Sequence, residues 1–192
     1  MTYKIEHHYP IRVYCGTVDN HEVVNYHIDK VIDKVDFKMV GRWGSTHYIS
    51  TDFSLDNVNI LKDLGLNLVI GVIDKHLQEY CSELNYPSRK TRDYTFESWF
   101  SLFKKGNYAH IHDHGQADIS GVYYYKTNEK DSEIFFQAPF PYRKSFEVDY
   151  YEIIHKPTPG GILLFPGWFK HGVRTSTSDH DRISLSFNIQ FK

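Results

Sequence analysis

The chain has 192 residues and a mass of 22.6 kDa, with 41% hydrophobic residues, 24% charged residues and a formal net charge of −2. That is the size of one domain with a substantial core. A charge so near zero gives no electrostatic case for binding nucleic acid or a membrane surface. Two cysteines, Cys15 and Cys81, make neither a disulfide framework nor a Cys-type zinc site.

Met1–His8 lacks the apolar core of a signal peptide, and no apolar run is long enough to span a bilayer, so a cytoplasmic protein is expected. Tyr9–Cys15 alternates weakly and reads as a short strand. From Asn20 to Lys34, Val23, Val24, His27, Ile28, Val31 and Ile32 recur at helical spacing, with Asn20 as N-cap. Residues 41–56 are rich in Gly, Ser, Thr and Asp and read as loop, and Leu55–Leu64 adds a short helical stretch. Leu66–Leu84 is the strongest helix. Its stripe of Leu66, Val69, Ile70, Ile73, Leu77, Tyr80, Cys81 and Leu84 is suited to packing on a sheet.

From Thr91 onward, short aromatic and β-branched segments alternate with Gly, Pro, Asn and Asp punctuation. Strands are expected at Tyr94–Phe103, Tyr108–His112, Ile119–Lys126, Glu133–Phe136, Tyr150–Ile154, Gly161–Phe165, Lys170–Arg174 and Ile183–Phe191. Short strands in such number after two helices predict a mainly β fold: an antiparallel double-sheet jelly roll or barrel, with the helices bracing one sheet. No repeat or linker divides the chain, so residues 1–192 read as one domain, with 1–90 as helical and loop support and 91–192 as the β core.

Two segments carry chemistry. In Tyr108-Ala-His-Ile-His-Asp-His114, three histidines (His110, His112, His114) fall at every second position, and in extended chain alternate side chains share a face. In Pro159-Gly-Gly-Ile-Leu-Leu-Phe-Pro-Gly-Trp-Phe-Lys-His171, a strand leads through a Phe-Pro-Gly turn to a histidine 57 residues beyond His114. Eleven residues further, Arg182 heads a final strand on which Arg182, Ser184 and Ser186 share one face. A near pair of ligands, a distant histidine and then an arginine is the order of a mononuclear iron oxygenase site, in which open metal positions remain for substrate and O₂. The planar arginine fork suits a carboxylate.

Gly106, His112-Asp-His114, Ser120-Gly-Val-Tyr-Tyr124, Gly161-Ile-Leu-Leu-Phe-Pro166, His171 and Arg182-Ile-Ser184 together resemble the Fe(II)/2-oxoglutarate-dependent oxygenase superfamily, over about residues 95–190. More narrowly, they are similar to its compact phage and bacterial branch, which is itself similar to prolyl 4-hydroxylases. The resemblance implies a double-stranded β-helix with Fe(II), 2-oxoglutarate as co-substrate and O₂, and with ascorbate as a candidate reductant. It places the metal on His112, His114 and His171 and the distal carboxylate of 2-oxoglutarate on Arg182, Ser184 and Tyr124. Most relatives carry Asp or Glu where His114 stands, so Asp113 and Asp118 remain alternative donors. His110 is expected to be an outer-sphere or substrate-facing residue, and Trp168 either lines the mouth or packs.

The remaining histidines (His7, His8, His21, His27, His47, His76, His155 and His180) are read as surface or structural residues. Gly160-Gly161 is read as serving a turn, and Arg89–Arg92 as a solvated loop. The reaction implied by the resemblance is hydroxylation of a C–H bond coupled to conversion of 2-oxoglutarate to succinate and CO₂. The expected substrate is a prolyl residue of a peptide or protein, with a small molecule as alternative, and the expected assembly is a monomer or homodimer, in the host cytoplasm if a phage encodes it. Two rivals share the fold: a cupin-like three-His dioxygenase or isomerase independent of 2-oxoglutarate, and a non-catalytic jelly-roll binding module.

Overall fold

The computed structural model describes residues 11–41, 44–51, 58–87, 91–128, 130–139 and 152–192. Met1, His7, His8, Tyr9, Leu55, Arg89 and Tyr150, named above, lie outside these residues. Two antiparallel sheets form the body. Along the large sheet run β1 (Tyr14–Thr17), β9 (Gly161–Pro166), β6 (Ile119–Lys126), β11 (Arg182–Phe191), β4 (Tyr94–Phe103), β3 (Tyr48–Ile49) and β2 (Lys38–Met39), in that order. The small sheet runs β5 (Ala109–His112), β10 (His171–Val173), β7 (Ile134–Gln137) and β8 (Glu152–His155). From β4 onward the chain passes back and forth between the sheets, except that β7 and β8 follow one another in the small sheet, as in a double-stranded β-helix. Among the described residues no helix is long and apolar enough to cross a membrane.

Period-2 alternation sorts the large sheet into two faces. Ile119, Tyr123, Tyr125, Ile162, Leu164, Ile183, Leu185, Phe187 and Ile189 point outward and pack with Val69, Ile73, Leu77 and Tyr80 of α3 (Asn67–Glu83) and with Val24 and Ile28 of α1 (His21–Asp29). Each such fully buried aliphatic side chain is worth about 1.5–3 kcal/mol relative to exposure. Val122, Tyr124, Leu163 and Phe165 point inward to meet Ile134, Phe136 and Phe169 in a second core between the sheets. Gly121 lies on the outward face, where a Cβ would sit 2.4 Å from the Phe187 ring.

Polar clamps fix α1 against the sheet. The Tyr123 hydroxyl donates to Asn25 Oδ1 at 2.6 Å, and the Tyr125 hydroxyl donates to Asp29.

The helix expected over 20–34 stops at Asp29 and resumes as a 3₁₀ turn at Ile32–Lys34. Asn20 does precede it, but at φ 52° with no side-chain cap bond, so it serves as a left-handed turn residue and not as a capping acceptor. The stretch read as loop contains β3, whose Tyr48 and Ile49 pair with Leu102 and Ser101. A two-residue strand has too little pattern of its own to be read in the sequence, since it exists because β4 offers an edge. The stretch around residue 60 forms α2 (Ile60–Asp63), capped by the Asn59 side chain accepting from Lys62 N.

Candidate metal centre

His112 ends β5 and His171 opens β10, and the two are direct register partners. Antiparallel partners put their side chains on the same face, and here the rings lie 4.6 Å apart. His114 lies two residues past β5, where its backbone N–H donates to Gly167 O at 2.9 Å. A Cβ on Gly167 would lie 2.1 Å from the Ala117 carbonyl oxygen, so only glycine lets these two loops close together. The His114 ring stacks between Trp99 and His171, with ring separations of 5.8 and 5.0 Å.

The three imidazoles each offer one nitrogen to a common point, all within 4.8 Å of one another. His112 Nδ1–H donates to His110 O at 2.7 Å and His171 Nδ1–H donates to Phe169 O at 2.8 Å. A carbonyl only accepts, so Nδ1 carries the proton in both rings and Nε2 presents a bare lone pair. His114 Nε2 lies 3.2 Å from His171 Nε2. Two cis ligands each about 2.1 Å from one metal ion stand about 3 Å apart, so the spacing fits a shared cation. Burial disfavours the charged imidazolium: it lowers His112, takes His114 down to about 4 with help from His112, and drives His171 well below the ordinary value. Neutral imidazole is the form that binds metal.

Arg182 approaches from β11. It is among the largest fully buried side chains, its Cζ lies 4.7 Å from the Phe103 ring centre and 5.3 Å from that of Tyr124, and its Nε and Nη1 have no hydrogen-bond partner. The Tyr124 hydroxyl is likewise buried without a partner, and burial pushes its pKa up to about 12, so it remains a neutral donor. Ser184, also buried, is Tyr124's register partner. A buried guanidinium with free N–H groups beside a free hydroxyl is a strong donor set for a carboxylate.

His110 stays outside this group: its ring is exposed and its Nδ1–H reaches only Ile111 O. Asp113 and Asp118 are exposed and accept backbone N–H bonds, from neighbouring Gly115 and from Phe191 on β11 respectively. Among the described residues the donor cluster therefore contains no carboxylate. Trp168 is 53% exposed.

Sequence reasoning missed His47 and Asn188. His47 stacks on Phe103 at 4.6 Å with its buried Nδ1 unpartnered, and it feels both His112 and Arg182. Its pKa is pushed down to about 4, first by burial. Nothing in its Gly/Ser/Thr-rich surroundings marks it. Asn188 accepts from Ser120 and donates to Glu97 on the inward face of the large sheet. It continues the every-second-residue series of Arg182, Ser184 and Ser186, a signal that was present in the sequence.

These features define a double-stranded β-helix protein with a cluster of three histidines that could hold a metal ion and a buried arginine on β11. Residues 97–188 match the family model described as "Putative 2OG-Fe(II) oxygenase". That segment, 92 of the 192 residues, holds all three histidines, Arg182 and the paired strands between them, and is similar to that family.

Solved structures agree in fold. A Pseudomonas putida prolyl-4-hydroxylase matches with TM-score 0.61 at 14% identity, covering 95% of this chain and 94% of its own. HygX from Streptomyces hygroscopicus, with nickel, 2-oxoglutarate and hygromycin B bound, matches with TM-score 0.64 at 11% identity over 94% and 83%. A Trichoplax adhaerens prolyl hydroxylase, in complex with a hypoxia inducible factor oxygen degradation domain peptide fragment, matches with TM-score 0.60 at 11% identity over 93% and 83%. No curated protein sequence matches the chain.

Proposed function

We propose that this oxygenase uses Fe(II), 2-oxoglutarate and O₂ to hydroxylate a prolyl residue in a peptide or protein. The observation that carries the reading is that one fold holds both a cluster of three neutral imidazoles and a fully buried arginine whose Nε and Nη1 are unpartnered. His112, His114 and His171 hold the iron through Nε2. Arg182, Tyr124 and Ser184 hold the distal carboxylate of 2-oxoglutarate. Iron so bound supplies the oxidising power by which one atom of O₂ enters a C–H bond and the other enters succinate. The chain's own residues bind and orient the reactants and keep the chamber dry. Phe136 and Phe165 wall His171, at 5.8 and 4.7 Å between ring centres, and Trp99 covers His114.

The prolyl assignment is supported by the likeness in fold to two prolyl hydroxylases. A groove of about 920 Å³ along Gly115–Asp118, Pro166 and Trp168 is lined by none of His112, His114, His171 and Arg182.

The test is succinate formation with Fe(II), ascorbate and a panel of proline-containing peptides, followed by mass analysis for a 16 Da gain. One observation favours a second reading, a cupin-like three-His oxygenase, namely the missing carboxylate ligand. Oxygen uptake that is identical with and without 2-oxoglutarate would establish that rival and reject our assignment.

A further inference from the structure

A row of four side chains crosses the inward face of the large sheet at its Arg182 end. Arg182 is the register partner of Phe103, and its Cζ lies 4.7 Å from the Phe103 ring centre and 5.3 Å from that of Tyr124. β3 adds the fourth member. Tyr48 and Ile49 pair with Leu102 and Ser101, so the same register sets His47 opposite Phe103. The two rings stack at 4.6 Å with 1° between their planes. Alternation along the strand agrees, since neighbouring Tyr48 packs against the outward core. Imidazole, phenyl, guanidinium and phenol thus follow one another across β3, β4, β11 and β6.

The segment that carries His47 also joins the two sheets along one side. Thr46 N–H donates to Tyr108 O at 3.1 Å, Tyr108 N–H donates to Thr46 Oγ1 at 3.1 Å, and His110 N–H donates to Ser45 Oγ at 3.0 Å. Residues 45–49 therefore tie β4 of the large sheet to the strand that ends in His112.

His47 Nδ1, the Tyr124 hydroxyl, and Arg182 Nε and Nη1 are all buried without a hydrogen-bond partner. An unmet buried nitrogen costs stability, and a phenylalanine would stack on Phe103 equally well, so packing alone does not account for a histidine here. A guanidinium only donates, so whatever completes the row must bring acceptor oxygens. A neutral imidazole can carry its one proton on either nitrogen, and facing such oxygens it carries it on Nδ1.

We propose that His47 is a binding residue of the co-substrate chamber, donating from Nδ1 to an oxygen of the bound 2-oxo acid. The acid then meets donors from three strands: β3 through His47, β11 through Arg182 and β6 through Tyr124. The proposal rests on the 2-oxoglutarate reading above and deepens it. A stacking role alone would survive exchange for phenylalanine, which separates the two.

The experiment is calorimetric titration of 2-oxoglutarate into the full-length chain preloaded with Mn(II), for the wild type and two variants. His47→Phe keeps the stack and removes both nitrogens. Loss of one hydrogen bond to a charged acceptor should weaken 2-oxoglutarate binding about 10- to 100-fold, with Mn(II) affinity unchanged. His47→Asn places an amide N–H the same number of bonds from the backbone as Nδ1 and should recover most of that loss. In the wild type loaded with Zn(II), which is diamagnetic, ¹⁵N spectra should show the His47 proton fixed on Nδ1 once 2-oxoglutarate is added.

Affinity for 2-oxoglutarate within twofold of wild type in His47→Phe overturns the proposal. So does a His47→Asn variant no better than His47→Phe, which would trace the loss to packing. Should neither variant fold, His47 ¹⁵N signals that do not respond to 2-oxoglutarate in the wild type overturn it equally. A wild-type chain that takes up Mn(II) but no 2-oxoglutarate overturns the proposed function itself, and this proposal falls with it.

Discussion

Replacing Arg182 by Met should change ligand-free stability and co-substrate binding in different directions. In the free protein Arg182 buries a charge with two unpartnered N–H groups, Nε and Nη1, and each unmet buried donor costs about 1–3 kcal/mol. Against this stand two ring contacts, with Phe103 and Tyr124, worth about 1–2 kcal/mol each when desolvated. Asp131, which lies close enough to favour the charged arginine, keeps its bonds from Thr127 and Asn128 after the change. The sum for Arg182→Met is near zero or stabilising by about 1–3 kcal/mol, in line with apolar replacement of buried ions elsewhere.

Binding of 2-oxoglutarate should suffer heavily. Two charge-assisted hydrogen bonds at about 1.5–3 kcal/mol each amount to a loss of about 10²–10⁴ in affinity. Urea unfolding of both proteins with Mn(II), with and without 2-oxoglutarate, reads both quantities. The wild type should gain stability with ligand concentration by mass action, and the variant should start as stable and gain nothing. A variant that loses several kcal/mol without ligand, yet is still stabilised by 2-oxoglutarate at wild-type concentrations, would show that the guanidinium is a structural ion and refute the reasoning.

Other outcomes follow from the same geometry. His171→Ala should abolish Co(II) binding while leaving the metal-free melting temperature within a few degrees, because neutral imidazoles facing one another contribute little to stability. His47 is held neutral by burial, with a pKa of about 4 against 6.5 when unfolded. The unfolded chain therefore takes up its proton first as pH falls. The contribution is fully present above 6.5 and is lost between 6.5 and 4 at on the order of 1 kcal/mol per pH unit. His47→Phe should flatten that part of a pH series of unfolding free energies measured in EDTA. Gly167→Ala should displace the Ala117 carbonyl and with it the His114 loop, lowering metal affinity more than about tenfold and stability by about 1–3 kcal/mol, read by Co(II) titration and thermal melts. Trp168→Ala, at an exposed groove residue, should raise KM for a peptide substrate several-fold and leave Co(II) binding unchanged.

What could be read in the sequence was whatever repeats with the period of a strand or helix. β4 and β6 run over Tyr94–Phe103 and Ile119–Lys126, the limits expected from their aromatic and β-branched content. The α3 stripe packs on the sheet as its spacing predicts. His112 and His171 could be singled out because each closes or opens a recognisable strand. That they become register partners 4.6 Å apart is a property of β5 pairing with β10, which no local pattern encodes.

The same limit explains the misses. His47 reaches the Arg182 and His112 region only because β3 docks on the edge of β4. Glu97, Ser120 and Asn188 belong to three strands and meet only once β4, β11 and β6 are aligned. A register slip of one residue would turn Asn188 to the helix side and expose Ile189 to the site. Which side chains face the histidine cluster therefore depends on the register of the large sheet, and that register is enforced from the opposite face by Leu185, Phe187 and Ile189 packed under α1 and α3. The helices thereby act on the site without lining it: loosening the outward core should misplace Arg182 and Ser184 before it unfolds the chain.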